Sequence, residues 1–71
     1  MPNSVYKVVE IVGSSAESWE KAAQAAVEAA SKSLRDLRVA EVEKFDLHLD
    51  EKGKIVAYRA KMKLSFKYKG E

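Results

Sequence analysis

The amino-acid sequence predicts an α+β domain of β-α-β-β order, in which a three-stranded antiparallel sheet wraps around one amphipathic helix. Three observations carry this. A β-branched run opens the chain, a helix-period stripe follows, and two long alternating segments flank a polar tip containing Gly53.

Residues 5–12 read Val-Tyr-Lys-Val-Val-Glu-Ile-Val, a composition suited to a pleated backbone, and Gly13 reads as the end of this strand. Apolar side chains fall on both parities, Val5, Val9 and Ile11 on one and Tyr6, Val8 and Val12 on the other. Both faces of the strand therefore need cover, more than one small chain supplies. Ser14-Ser15-Ala16-Glu17 fits a capping box and predicts a helix start there. Trp19, Ala22, Ala23, Ala26, Val27, Ala30 and Leu34 recur at spacings of three and four, opposite Glu17, Glu20, Lys21, Gln24, Glu28 and Lys32. The alanine-rich seam lets a sheet approach closely. Lys32 and Arg35 suit the negative end of the helix dipole.

Beyond a turn near Asp36, residues 38–50 alternate, but the phase changes part-way. Ala40 and Val42 share one parity while Phe45, Leu47 and Leu49 share the other, so a β-bulge or a change of packed face is expected near Glu43 and Lys44. Asp50-Glu51-Lys52-Gly53-Lys54 is a hairpin loop that makes the last two strands antiparallel neighbours. From residue 55 to 68 the alternation is cleanest: Val56, Tyr58, Ala60, Met62, Leu64, Phe66 and Tyr68 against Arg59, Lys61, Lys63, Ser65, Lys67 and Lys69. One face is apolar and the other basic. Strands this long leave edges that must be paired, covered or charged.

Seventy-one residues make one domain, 1–71, and too little chain for a self-sufficient core. Disulfides are excluded because there is no cysteine, and a single histidine without a thiolate argues against zinc. Self-association is the remaining common source of stability. At 46% hydrophobic and 34% charged, the chain is too apolar for disorder and too polar for a membrane protein. Its formal charge of +2 falls short of the excess that marks a nucleic-acid binder. The opening Met-Pro-Asn-Ser-Val-Tyr has no apolar leader core and no segment approaches a bilayer-spanning length, so a cytoplasmic protein without membrane partners is expected.

The isolated Gly13, Gly53 and Gly70 form no phosphate loop, and no serine sits in a nucleophile setting; the chain reads as a binding protein, not an enzyme. His48 alternates with Asp46 and Asp50, which would place all three on one side of a strand. A solvated charged face accounts for that pattern, and so would a metal or acid-base site. The oxygen-rich set Asp46, Asp50 and Glu51 would favour a hard cation such as calcium. The basic row from Arg59 to Lys69 reads as a solvated face opposed by Glu10, Glu41 and Glu43, and Trp19 reads as core.

Val5-Tyr6-Lys7-Val8-Val9-Glu10-Ile11-Val12-Gly13-Ser14-Ser15, then Ala40-Glu41-Val42 and Leu64-Ser65-Phe66, resemble the dodecins over nearly the whole chain. The resemblance implies a small flavin-binding protein whose twelve subunits close into a hollow shell of cubic symmetry, a homododecamer. Typical dodecins stack a tryptophan on the flavin just before the Ala-Glu-Val element and hydrogen-bond the flavin through a glutamine on strand three. Those positions match Val39 and Arg59. Valine has no π face to stack, and arginine donates hydrogen bonds without accepting them, so ordinary flavin binding is expected to be weak or lost. Asp36-Leu37-Arg38-Val39-Ala40, and Tyr58-Arg59 followed by Leu64-Ser65-Phe66-Lys67, resemble a calcium dodecin-like branch that lacks the stacking tryptophan. This implies calcium as a possible ligand. Arg38 and Arg59 would then define an altered small-ligand site, holding an anion or pairing with carboxylates such as Glu41 and Glu43.

Overall fold

Strand β1 (Tyr6–Ser15), helix α1 (Trp19–Ser31), strand β2 (Leu37–Leu49) and strand β3 (Ile55–Lys67) follow one another in the expected order. The computed structural model describes residues 3–68; Met1, Pro2, Lys69, Gly70 and Glu71 lie outside the described residues. β3 is the central strand of the sheet, antiparallel to β1 on one side and to β2 on the other.

The clean alternation of β3 explains its position. Ala60, Met62 and Leu64 point under the helix and are buried with Ala22 and Ala26, while Val9, Ile11, Ala23, Val27, Ala30 and Leu37 pack around them. This small-residue core holds helix and sheet at close range. The other face of β3 carries its basic residues, flanked across the sheet by Glu10 and Glu41, each opposite Lys63.

Three local expectations change. Gly13 does not end β1, which runs to Ser15, because pairing with β3 keeps the backbone extended as far as Ser15 opposite Tyr58. Gly13 serves instead as the point of closest helix contact: a Cβ there would run into the Ala22 carbonyl oxygen and lie 2.9 Å from Ala26 Cβ. The capping box is displaced in consequence. With Ser15 still in the strand, Ser18 becomes the cap and its Oγ accepts from the Lys21 amide at 3.1 Å, while Ser15 Oγ accepts from the Glu17 amide at 3.0 Å. The helix ends at Ser31 with Lys32 as its C-cap, at the carboxyl end as expected, so Leu34 lies beyond the helix.

The predicted bulge is present. Register shifts between Val42 and Lys44, leaving Glu43 as the extra residue, and two further irregularities occur at Leu37/Val39 and His48/Leu49. The turn into β2 is made by Asp36 at φ 61, and the hairpin by Gly53 at φ 79. Asp50 Oδ1 accepts from the amides of Lys52 and Lys54, fixing the tip.

The molecule is elongated, 55 × 20 × 16 Å, with a radius of gyration of 14.7 Å. A compact chain of this length would have roughly 11 Å. The cause is a mismatch of lengths. Thirteen residues make a helix of about 20 Å but a strand of about 43 Å, so α1 covers only half of the β2-β3 hairpin. Phe45, Leu47, Leu49, Ile55 and Val56 stay exposed on the uncovered half, and Val8 and Val12 on the far face of β1 are 51% and 56% exposed.

Candidate functional site

The face of the sheet turned away from α1 carries most of the polar residues singled out in the sequence. Paired residues of an antiparallel sheet share a face, so the register places Val8, Ser65 and Val39 in one row, Glu10, Lys63 and Glu41 in the next, then Val12, Lys61 and Lys44, then Ser14, Arg59 and Asp46. Val39 and Arg59 therefore lie on the same face but not together. Ser65, the partner of Val39, is six residues along β3 from Arg59, a separation of about 20 Å.

Val39 is 57% exposed. The segment around it, Leu37, Arg38, Val39 and Ala40, walls a shallow cavity of about 170 Å³ with Val27 and Leu64, where α1 stops short of β2. Arg38 extends to the Asp36 carboxylate at 4.0 Å, and Glu41 faces Lys63.

Arg59 is engaged differently from expectation. It pairs with neither Glu41 nor Glu43 but with Asp46 directly across the strand pair: Nε donates to Oδ1 at 2.7 Å and Nη2 to Oδ2 at 2.8 Å. This bidentate bond holds the Asp46 carboxyl below its ordinary value and raises the Arg59 guanidinium above its own. Glu43, the bulge residue, instead reaches Lys63 Nζ at 3.1 Å, and that hydrogen bond, helped by the charges of Glu10 and Glu41, raises the Lys63 ammonium.

On the helix side of the same level, Trp19 is half-buried rather than core. Its ring lies 5.4 Å from Phe45 and 5.2 Å from Tyr58, edge-on to the latter, and Nε1 donates to the Asp46 carbonyl at 3.2 Å. The indole thus grips both strands at the residues preceding Asp46 and Arg59. The sequence reading missed this linkage. Counting back from the hairpin tip sets Asp46 opposite Tyr58, and only the irregularity at His48/Leu49 moves it to Arg59.

Of the acidic candidates for a metal, Asp46 has both oxygens on Arg59, and Asp50 lies past the end of β2 with Oδ1 held by its own loop. Glu51 borders the same tip, and His48 faces Ala57 on the outer side. Among the described residues no three His, Asp or Glu side chains converge to hold a metal ion. No described helix is long and apolar enough to cross a membrane.

Comparison with known proteins agrees with this fold. The family model described as Dodecin matches residues 5–69. Calcium dodecin of Mycobacterium tuberculosis is 52% identical over 64 residues, covering 90% of this chain and 89% of that one. The crystal structure of the M. tuberculosis calcium dodecin, described as calcium-chelating with a novel calcium-binding site, superposes with a TM-score of 0.82 at 48% identity over 96% of both chains. Dodecin from Streptomyces coelicolor superposes at 0.90, with 31% identity and full coverage of both. A family match spanning nearly every described residue, together with a relative identical at half its positions, leaves one assignment: this chain belongs to the dodecin family.

Proposed function

We propose that this chain is the subunit of a hollow homo-oligomer, a dodecamer, that binds or stores a small ligand without catalysis, and that its flavin-type pocket is remodelled by Val39 and Arg59. The observation that carries this reading is their separation. Two residues about 20 Å apart on one face cannot contact one small ligand within one chain, so a shared pocket needs a second copy. The half-covered hairpin and the exposed Val8 and Val12 provide the apolar area for such copies. At the pocket itself, Val39 offers no aromatic surface and the Arg59 fork is closed by Asp46.

Fluorescence titration with riboflavin and FMN tests the remodelled pocket. Weak quenching is expected, and strong quenching at submicromolar protein would overturn the reading. Val39→Trp combined with Arg59→Gln should restore affinity. A native mass spectrum should show twelve subunits.

A second reading, calcium binding, is favoured by the 52% identical relative named for that ion. Calcium takes roughly six to eight oxygens. One chain does not supply them: Asp46 is spent on Arg59, and Asp50 and Glu51 stand at the tip without a third acidic group among the described residues. Such a site would draw further oxygens from a second copy and would tie stability to the ion by mass action. Thermal melts in calcium and in chelator test it, and identical midpoints would count against it.

A further inference from the structure

The ion pair of Arg59 and Asp46 joins two half-exposed side chains, 47% and 52%, which an exposed pair does not need to hold in one geometry. Here the geometry is fixed from behind. Trp19 packs on Phe45 and Tyr58, the residues immediately before Asp46 and Arg59, and its Nε1 holds the Asp46 carbonyl. The two strands are thereby held at the level where the carboxylate and guanidinium meet. A guanidinium recognises a phosphate or carboxylate through two parallel N–H bonds and its charge. Asp46 uses two of the five N–H donors in that same parallel mode and cancels the charge, while leaving the group open to solvent.

We propose that Asp46 is a specificity-determining residue of this face: as a built-in counter-ion it withholds Arg59 from oxyanions, so that the site discriminates against ligands presenting phosphate or carboxylate there. The inference rests on the reading that Arg59 lines the ligand pocket. It also gives Asp46 a role other than metal ligation.

The test uses inorganic phosphate as the probe, titrated calorimetrically into the full-length protein. Asp46→Ala should bind phosphate about tenfold or more tightly than the unaltered protein, the effect of freeing one charged bidentate donor. The gain should vanish in Asp46→Ala with Arg59→Gln, and should be absent from Glu20→Ala, which changes net charge equally elsewhere. Asp46→Asn, which keeps the side-chain shape, provides the same comparison if the alanine variant melts early. No gain in either Asp46 variant, or a gain that survives loss of Arg59, overturns the inference. Failure of the pocket reading is distinct: Val39→Trp with Arg59→Gln would then gain no riboflavin affinity, whatever phosphate does.

Discussion

Gly13 lies directly against the carbonyl of Ala22, so that strand and helix meet there backbone to backbone. A methyl group at Gly13 must push α1 away from β1 and loosen the packing of Ala22 and Ala26. Overpacking of this kind costs about 1–3 kcal/mol. Gly13→Ala should lower the thermal midpoint by roughly 4–8 °C for each kcal/mol lost, and an unchanged melt would mean that the helix shifts freely.

Gly53 needs glycine for a different reason. Nothing lies within 4 Å of a Cβ built on it, but its φ of +79 is unfavourable for side chains. Gly53→Ala should cost about 1–2 kcal/mol and Gly53→Asn less, since asparagine tolerates the left-handed region. Equal melts for the two variants would contradict this.

The Asp46–Arg59 pair sets a pH dependence with a definite sign. Asp46 titrates below its ordinary 3.8 when folded, so the pair's contribution is present above that value and is lost as pH falls through the lowered one. Arg59→Gln should flatten the acid limb of a stability–pH curve below about pH 4. Parallel acid limbs for the two proteins would show that the pair contributes nothing to folding.

Trp19→Phe keeps most of the ring packing on Phe45 and Tyr58 and removes the N–H donated to Asp46. The expected loss is about 0.5–1.5 kcal/mol by chemical denaturation, the net value of one hydrogen bond. A loss several times larger would show that the indole's shape, rather than its donor, holds the hairpin.

Val8 is exposed on one chain and sits on the outer face beside Ser65. If copies cover that face, Val8→Asp buries a charge in the contact and should yield smaller species by light scattering. Retention of the full assembly would place Val8 outside any contact.

Element order, the hairpin and the bulge at Glu43 were legible because alternation and helical period leave direct marks on the sequence. The ends of β1 and α1 were not. Gly13 looks like a stop until the helix above it is known, and the capping motif Ser14-Ser15-Ala16-Glu17 loses to β3 pairing of Ser14 and Ser15, which local sequence does not announce. The candidate face was legible as a set of residues but not as partners. Arg59 finds Asp46 through an irregularity at His48/Leu49 that no composition marks.

The order β1-β3-β2 places the strand that comes third along the chain in the middle of the sheet. Without β3, β1 has no ladder and β2 has no hairpin mate, because each pairs with β3 alone, β2 from Ile55 onward and β1 from Tyr58 onward. Loss of β3 would remove the hub from which both other strands hang. The sheet therefore assembles around β3, and the outer edges of β1 and β2 become available to other copies only once both strands are docked on it.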